Sequence, residues 1–365
     1  MKINQIRVQN FRNIAFATLA FSKLKVFLFG ENGQGKTNLL EAASLLTALR
    51  SFRTREQKLL IKKNEKIAQI AVEIEHEQKL CKQIILTLKN DGSKIVELDN
   101  GNIISQIGDF VGRFPVVVFS SEDIKLLRGS PTLRRRWFNM TISAVNPNYL
   151  NQIQRYKRTL ESRNAILKNT ATDATNAQLD AFDEILATLA IDIRQTCENA
   201  VQEIATFFND FSKRILKIDV PATLVYKPNV PTENCQDRNE YLALLKRIRH
   251  IDFILHATQK GPHRDDFDFL LDGNVAADYA SEGQQRAITL ALGLSQLAYF
   301  RKHTNIAPVI LADDVLGELD PARRENFWNE IGSDLQIIAT GTEKPNNNDN
   351  SWNIFHVIEG NYQTL

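Results

Sequence analysis

The sequence predicts an α/β fold, with mixed sheets and helices, that is interrupted by an inserted and mainly helical lobe. Near one end of the 365 residues, an apolar strand over 25–29 leads into a glycine-rich loop and then a helix. Near the other end, an apolar strand over 308–312 runs into two aspartates. Between them, apolar residues over 179–211 recur every three or four positions, the period of an amphipathic helix. We therefore expect a body built from both chain ends, with helices inserted between them.

The composition is that of a globular protein, with 43% hydrophobic and 24% charged residues. No apolar run approaches the roughly 20 residues that span a bilayer, and the first residues lack the apolar core of a signal peptide. We therefore expect a cytoplasmic protein with no membrane partner. Lys and Arg number 45 against 43 Asp and Glu, which argues against a simple polycation that coats nucleic acid. Three cysteines lack the spacing of a zinc site and are expected to be reduced and packed, namely Cys81, Cys197 and Cys235.

The first third of the chain shows strand patterns around one helix. From Thr37 onward, leucines and alanines recur at helical spacing. The sequence Asn-Asp-Gly-Ser over 90–93 is typical of a hairpin turn. The run over 115–119 is apolar throughout, which favours a strand buried on both faces. The other strands predicted here cover 2–8, 25–29, 67–74, 83–88 and 94–98.

The middle of the chain changes to helical periodicity. A helix over 149–168 follows Pro147, and the periodic segment that starts near Thr175 predicts one helix of about 36 residues, about 55 Å long. Two shorter helices remain the alternative for this segment. A β-type pattern returns after about Pro221. The remaining predicted elements are strands over 266–271, 308–312 and 335–339 and a helix over 284–300.

Residues 30–37 fit the pattern G-x-x-x-x-G-K-[ST] in full and lie between a strand and a helix, as this phosphate-binding loop requires. Glycines allow backbone amides to turn toward phosphate oxygens, and the helix N-terminus adds a favourable dipole. Lys36 is expected to reach the β- and γ-phosphates of ATP, and the Thr37 hydroxyl to bind Mg²⁺. The predicted nucleotide-binding residues are Gly30, Glu31, Asn32, Gly33, Gln34, Gly35, Lys36 and Thr37.

The two aspartates after the strand over 308–312 supply the acidic part of such a site. Asp313 is expected to bind Mg²⁺ through water, and Asp314 to position or deprotonate the attacking water. We therefore predict Lys36, Asp313 and Asp314 as catalytic residues, with Thr37 and Asp313 as metal ligands. Most of the chain separates Lys36 from Asp313. This arrangement resembles the ABC-type ATPases that act on chromosomes, whose heads are assembled from both chain ends.

A third motif, Ala-Ser-Glu-Gly-Gln-Gln-Arg over 280–286, precedes a predicted helix and resembles the ABC signature Leu-Ser-Gly-Gly-Gln. Its hydroxyl, its glycine amide and the helix dipole together form a second phosphate site. In the ABC family this site meets the nucleotide of a second subunit. The resemblance therefore implies an ATP-dependent, two-fold homodimer in which Ser281, Gly283 and Gln284 act in trans. The sequence Gly-Glu-Leu-Asp over 317–320 supports the resemblance.

Together these motifs resemble the RecF family of bacterial recombination and repair ATPases, which is related to SMC heads, and the resemblance runs nearly end to end. It implies an ABC/SMC-type P-loop ATPase head over 1–120 and 259–365, with an inserted helical arm over 121–258. The most distinctive segment is Gly-Pro-His-Arg-Asp-Asp over 261–266. The other segments that carry the resemblance are 10–13, 35–42, 51–54, 128–135 and 157–164.

The resemblance also implies a function. It indicates ATP-dependent binding to single- and double-stranded DNA and to gap junctions in replication, recombination and repair, with a role in the SOS response. It indicates RecO and RecR as partners in loading RecA on gapped DNA. Asp314 stands where most ABC enzymes have the longer Glu, which favours a weak ATPase that acts as a switch for dimerisation and DNA release. Ser121 replaces a usual Pro of the family, Gly317 a common Ser, and Thr340 the His of the transporters.

Two segments of the chain are strongly basic, although the net charge of the whole chain is close to zero. Residues 122–168 hold ten Lys or Arg against three Asp or Glu, and residues 50–66 hold seven against two. No base-reading motif is visible, so we expect sequence-independent DNA binding that weakens steeply with salt. The DNA-binding candidates are Arg134, Arg135, Arg136, Arg155, Lys157, Arg158 and Arg163.

The alternatives are an SMC-like structural clamp and another ABC-type ATPase. A clamp needs a long heptad coiled coil and a hinge, for which an insertion of about 140 residues is short. The helical arm, its basic residues and the missing switch histidine argue against a transporter subunit. A nuclease-linked ATPase stays open, although no further carboxylate cluster is visible in the sequence.

Overall fold

A computed structural model of the chain describes residues 1–54, 56–78, 81–99, 101–169, 172–217, 221–315, 321–345 and 351–365. The backbone divides into two compact units. The first unit comprises Met1–Ile124, Arg214–Lys217 and Glu282–Leu365, and the second comprises Lys125–Lys213 and Ile218–Ser281. The first unit is therefore assembled from both chain ends.

The secondary structure alternates strands and helices in the first unit and is mainly helical in the second. The strands are β1 (Lys2–Phe11), β2 (Ile14–Ala20), β3 (Lys25–Phe29), β4 (Ile67–Glu75), β5 (Gln83–Lys89), β6 (Lys94–Leu98), β7 (Asn102–Ile103), β8 (Val116–Ser120), β9 (Thr223–Lys227), β10 (Asp266–Leu271), β11 (Asn274–Val275), β12 (Val309–Asp313), β13 (Ile337–Gly341), β14 (Trp352–Ile358) and β15 (Asn361–Thr364). The helices are α1 (Lys36–Ala48), α2 (Ile124–Arg128), α3 (Pro131–Val145), α4 (Pro147–Ile166), α5 (Asp173–Leu216), α6 (Arg238–Leu255), α7 (Ala276–Tyr279), α8 (Glu282–Thr304) and α9 (Pro321–Glu330).

Two six-stranded sheets form the first unit. One is antiparallel, in the order β2-β1-β4-β5-β6-β7, and its strands alternate buried and exposed residues. The other has the order β15-β14-β3-β13-β12-β8, with all neighbours parallel except the β14–β15 pair. Every residue of β12 is buried, as expected for a parallel strand covered on both faces. Because the carboxyl ends of parallel strands meet at one edge, the loops after β3, β12 and β13 are brought together there.

The second unit packs four long helices with a three-stranded antiparallel sheet, β11-β10-β9. The long periodic segment is one helix of 44 residues, α5, which confirms the single-helix prediction over the two-helix alternative. Aromatic contacts join the sheet to the helices. Phe267 of β10 stacks on Phe138 of α3 at 3.9 Å between ring centroids, and Phe269 meets Phe208 of α5 edge-on at 5.8 Å.

Several elements differ from the sequence expectations. Residues 259–281, expected in the head, lie in the second unit because β10 pairs with β9. Helices α3 and α6 were not predicted, and α6 occupies part of the region where a β-type pattern was expected after Pro221. Pro147 is the first residue of α4 rather than a break before it, and the Asn146 side chain caps that helix.

The three cysteines are free and buried, so their expected packing role is consistent with the structure. Burial raises the pKa of the Cys81 thiol to about 11, which disfavours a reactive thiolate. Among the helices in the described part of the chain, none combines the length and the hydrophobicity needed to cross a membrane.

Candidate nucleotide-binding site

The glycine-rich loop connects β3 to α1 and depends on backbone that only glycine adopts readily. Gly30, Gly33 and Gly35 have φ angles of 155°, 81° and 114°. A Cβ on Gly30 would lie 2.5 Å from the carbonyl oxygen of Val357, so a side chain there would collide with β14. In the described part of the chain, no side chain caps the first amides of α1. The loop therefore presents backbone donors and a helix dipole to an anion.

Lys36 is buried inside the loop. Its Nζ donates to the carbonyl oxygens of Gly30 at 2.5 Å and Glu31 at 2.8 Å. Burial lowers the pKa of the Lys36 ammonium, and the nearby carboxylates of Asp314 and Asp313 oppose that shift. The ammonium is thus held at the loop by neutral carbonyls, which a phosphate group could replace as partners.

Thr37, Asp313 and Thr340 meet at the edge of the parallel sheet. The Thr37 hydroxyl donates to Asp313 Oδ1 at 2.8 Å, and the Thr340 hydroxyl donates to the same oxygen at 3.0 Å. Burial raises the pKa of Asp313, whereas these two hydrogen bonds and the positive charge of Arg53 oppose the rise. Asp314 has φ 54°, and its backbone N–H donates to the Thr340 hydroxyl at 3.0 Å. The two chain ends thus form one site, although most of the sequence separates them.

Residues outside the motif brace the loop. Asn13 Nδ2 donates to the Gln34 carbonyl at 3.3 Å, and the Gly360 N–H donates to the same oxygen at 2.8 Å. The Tyr362 hydroxyl donates to the Gly35 carbonyl at 2.9 Å. Only Asn13 carried a sequence signal, as part of the segment 10–13 that resembles the family. Gly360 and Tyr362 follow no recognisable pattern, because they reach the loop only through the pairing of β14 with β3.

An ion-pair network around Glu41 of α1 holds the Arg53 guanidinium near Asp313. Arg12 binds the buried Glu41 carboxylate through two hydrogen bonds of 2.9 and 2.8 Å, and the Ser51 hydroxyl donates to the same carboxylate. Arg53 donates to Asn38 Oδ1 at 2.9 Å and to Glu41 at 3.3 Å. The guanidinium of Arg53 remains partly exposed and close enough to Asp313 to favour its ionised form. The sequence marked Arg53 only as part of a family-like segment.

The signature-like residues lie where α8 begins. Ser281 directly precedes this helix and is exposed, and Gly283 and Gln284 are partly buried in its first turn. Their expected action in trans stays a prediction. The Gly-Glu-Leu-Asp sequence over 317–320, with the Gly317 departure, lies outside the described residues.

Two of the arginines predicted to contact DNA are held by carboxylates instead. Arg163 is fully buried, and its guanidinium donates to Asp183 at 2.6 Å and to Asp252 at 2.7 Å. The prediction that Arg163 contacts DNA is therefore wrong. Arg134 forms a two-pronged pair with Asp266 at 2.7 and 2.9 Å, and only 11% of its side chain is exposed. An arginine in a basic segment of the sequence can thus form a structural ion pair.

The remaining DNA-binding candidates differ in exposure. Arg135 is partly buried and donates to the Asp265 carbonyl at 2.7 Å, and Arg136 is also partly buried. Arg155, Lys157 and Arg158 are exposed on α4. Of the predicted set, these three side chains have the exposure that phosphate contacts need.

Comparison with known proteins places the chain in a family. Residues 2–360 match the family model described as the RecF/RecN/SMC N terminal domain. The chain is 33% identical over 349 residues to the DNA replication and repair protein RecF of Synechococcus sp. (strain JA-2-3B'a(2-13)), covering 94% of this chain and 91% of that relative. It is 32% identical over 366 residues to the protein of the same name from Clostridium perfringens (strain SM101 / Type A), covering all of both.

Similar solved structures support the same family. A structure of the recombination mediator protein RecF with ATP in the RecFOR pathway is 30% identical, has a TM-score of 0.91, and covers 100% of this chain and 97% of that chain. An Smc head bound to the C-winged helix domain of ScpA has a TM-score of 0.55 at 15% identity, covering 100% of this chain and 98% of that one, which shows the shared fold alone. The family model, the curated relatives and the solved structures agree with the site that joins the glycine-rich loop to the acidic end of β12. The chain belongs to the RecF family within the RecF/RecN/SMC proteins.

Proposed function

We propose that this chain is an ATP-gated DNA-binding protein of replication, recombination and gap repair. One observation carries the proposal. Thr37 of the phosphate-binding loop and Asp313 of a distant strand are hydrogen-bonded at 2.8 Å, so the chain builds a nucleotide site from its two ends. The curated relatives are named DNA replication and repair proteins, and the similar solved structures contain RecF with ATP.

The residues at this site fit Mg²⁺ together with ATP. Mg²⁺ prefers oxygen ligands and usually keeps several of its water molecules. The Thr37 hydroxyl and the Asp313 carboxylate, which lie 2.8 Å apart, are oxygen groups that can hold the ion directly or through such a water. Thr37 and Asp313 would therefore hold the ion, and Lys36 would bind the β- and γ-phosphates. Bound Mg²⁺ would neutralise charge on the phosphates.

Asp314 supports slow ATP hydrolysis as part of the proposal. Its backbone is held in the left-handed region and tied to Thr340, so its carboxylate is placed by the turn after β12. In that position it would orient the attacking water. Asp has a shorter reach than Glu, which favours a weak ATPase whose hydrolysis ends a bound state rather than drives movement.

The DNA and protein partners complete the proposal. Arg155, Lys157 and Arg158 would contact backbone phosphates of single-stranded, double-stranded and gapped DNA. ATP would join two copies, with Ser281, Gly283 and Gln284 of one copy facing the nucleotide of the other. The RecFOR pathway named for the similar ATP-bound structures supports RecO and RecR as partners in loading RecA.

Fluorescence anisotropy with labelled gapped DNA tests the proposal. We expect the wild type to bind about tenfold more tightly with Mg-ATP than without nucleotide. Lys36→Ala should bind equally in both conditions, because it lacks the cation that holds the phosphates. Lys23→Ala is the matched control, since Lys23 donates to the Trp352 carbonyl at 3.1 Å, outside the loop. DNA affinity of the wild type that is independent of ATP would contradict the proposal.

A further inference from the structure

The hairpin formed by β14 and β15 contacts the phosphate-binding loop through residues that no motif identifies. Its turn consists of Glu359 and Gly360, which join Ile358 to its strand partner Asn361. The two turn residues have positive φ angles of 48° and 79°, as in the type I′ turn that fits a tight hairpin. Tyr362 follows the turn on β15. We call Glu359, Gly360 and Tyr362 the hairpin clasp.

The backbone amides of the turn hold both the side chain and the backbone of Gln34 in the loop. The Glu359 N–H donates to Gln34 Oε1 at 2.7 Å, and the Gly360 N–H donates to the Gln34 carbonyl oxygen at 2.8 Å. The turn also lies close to Asn13, since a Cβ on Gly360 would be 3.3 Å from the Asn13 carbonyl oxygen. The Gln34 carbonyl is therefore held in one direction by the hairpin.

The Tyr362 side chain holds the next carbonyl group of the loop. Its hydroxyl donates to the Gly35 carbonyl oxygen at 2.9 Å, and the same oxygen accepts the Leu39 N–H at 3.2 Å. The Tyr362 ring packs against the hydrophobic core of the first unit. Burial raises the pKa of the Tyr362 hydroxyl, so this group stays a hydrogen-bond donor at neutral pH. Tyr362 thus connects the start of α1 to the core.

The hairpin clasp orients two amides of the loop through the geometry of the peptide bond. In a planar trans peptide, the C=O and the N–H of the following residue point in opposite directions. Holding the Gln34 carbonyl therefore orients the Gly35 N–H, and holding the Gly35 carbonyl orients the Lys36 N–H. Both amides are directed away from the clasp, and backbone amides of such a loop are the groups that surround the α- and β-phosphates.

We propose that Tyr362 is a positioning residue for nucleotide binding, which acts with the turn of the hairpin clasp to preorganise the loop amides for the α- and β-phosphates. The proposal rests on the proposed function and deepens it by assigning a role to residues outside the motif. A loop that is ordered before the nucleotide arrives loses less entropy on binding. Because ATP and ADP share these two phosphates, the clasp contributes to the affinity for both and not to the rate of hydrolysis.

The test compares two variants that each remove one tyrosine hydroxyl. Tyr362→Phe keeps the ring in the core and removes the donor to the Gly35 carbonyl. Tyr149→Phe is the matched control, because the Tyr149 hydroxyl donates to Asn139 Oδ1 at 2.7 Å within the second unit. Titration with methylanthraniloyl-labelled ATP and ADP in the presence of Mg²⁺ measures both dissociation constants. Steady-state hydrolysis gives kcat and KM, and thermal unfolding without nucleotide compares the stability of the variants.

We expect Tyr362→Phe to bind both nucleotides about threefold to tenfold more weakly, which corresponds to the loss of one hydrogen bond. Its KM for ATP should rise by the same factor while kcat stays unchanged, because the lost contact stabilises the ground state and the transition state equally. Tyr149→Phe should keep the wild-type dissociation constants even if it unfolds at a lower temperature.

Wild-type nucleotide affinity in Tyr362→Phe would overturn the role of the hairpin clasp and leave the proposed function intact. An equal loss of affinity in Tyr149→Phe would also overturn it, because affinity would then follow the general stability of the protein. A fall in kcat at unchanged affinity would contradict the assignment to the α- and β-phosphates. A wild type that binds no ATP would instead overturn the proposed function.

Discussion

Thr340 connects the two aspartates that follow β12. Its hydroxyl donates to Asp313 Oδ1 and accepts the backbone N–H of Asp314, each at 3.0 Å. One side chain thus fixes the Asp313 carboxylate, which we propose holds Mg²⁺, and the backbone that positions the Asp314 carboxylate. In the sequence, Thr340 was notable only as a replacement for the histidine of transporters. Its role could not be predicted because it depends on the pairing of β13 beside β12.

The change Thr340→Val keeps the shape of this residue and removes the hydroxyl. We expect the rate of ATP hydrolysis to fall by about tenfold or more, because the Asp314 N–H loses its partner and the carboxylates lose their alignment. ATP affinity should change little, since Lys36 and the loop amides stay in place. Thr340→Ser should restore the rate. Single-turnover hydrolysis alongside ATP titration measures both quantities, and an unchanged rate in Thr340→Val would rule out this positioning role.

Arg163 shows how a basic residue can be misread from sequence. Its ion pairs are buried, and removing Arg163 leaves the Asp252 carboxylate without a cation and Asp183 with Arg249 as its remaining ion-pair partner. We predict that Arg163→Met lowers the free energy of unfolding by about 3–5 kcal/mol in urea titrations. Arg158→Met, at an exposed position on the same helix, should change it by less than about 0.5 kcal/mol. Equal losses in the two variants would show that the buried network is not stabilising in this way.

His263 gives the second unit a dependence on pH. Its Nδ1 lies 2.8 Å from the Tyr156 hydroxyl and its Nε2 lies 3.0 Å from the Thr258 carbonyl, and burial lowers the pKa of His263 to about 4. Unfolded His titrates near 6.5, so the unfolded state binds more protons between these values and stability falls as pH drops. Burial raises the pKa of Asp265 to about 6, which acts in the opposite direction over part of this range.

A variant separates these two contributions. We expect the wild type to lose up to about 3 kcal/mol of unfolding free energy relative to His263→Gln as pH falls from about 6.5 to about 4. The Asp265 contribution is common to both proteins and cancels in the difference. Urea unfolding of both proteins at several pH values measures this difference in the free energy of unfolding. A difference that does not vary with pH would mean that His263 has the same pKa in the folded and unfolded protein, which would contradict a pKa lowered by burial.

At the scale of elements, the loop between β3 and α1 tolerates a side chain at one glycine better than at another. Gly30→Ala places a Cβ 2.5 Å from the Val357 carbonyl of β14, whereas a Cβ at Gly33 meets nothing within 4 Å. We predict that Gly30→Ala lowers the free energy of unfolding by about 2–4 kcal/mol. Gly33→Ala should lower it by about 1 kcal/mol, because only the left-handed φ is unfavourable there. Thermal unfolding without nucleotide compares them, and an equal loss at both positions would contradict the close contact with β14.

The single apolar face of α5 made that helix predictable, whereas the apolar residues on two sides of α6 hid its helical period. The long helix α5 was predicted because its apolar residues keep a single helical period toward the core. Helix α6 was not, because it buries Tyr241 and Leu245 on one side and exposes Ile251, Ile254 and Leu255 on another. Apolar residues around much of the helix obscure the period that identifies it.

At the scale of the whole molecule, the spacing of Lys36 and Asp313 predicted a body made from both chain ends, and the first unit has that composition. The expected boundary at 120 and 121 lies close to the observed division after Ile124. The boundary at 258 and 259 does not match, because the pairing of β9 with β10 keeps residues up to Ser281 in the second unit. Pairing between distant strands leaves no local signal in the sequence.

We propose that ATP bound at this site joins two copies of the chain, and sedimentation velocity distinguishes the dimer from the monomer. The wild type, Lys36→Ala and Ser281→Arg are compared with and without Mg-ATP, in the absence and presence of gapped DNA. We predict that the wild type changes from monomer to dimer only with Mg-ATP. Both variants should remain monomers, because one loses the phosphate contact and the other blocks the second phosphate site. Dimers without ATP, or unchanged dimerisation in both variants, would contradict ATP-dependent joining of two copies.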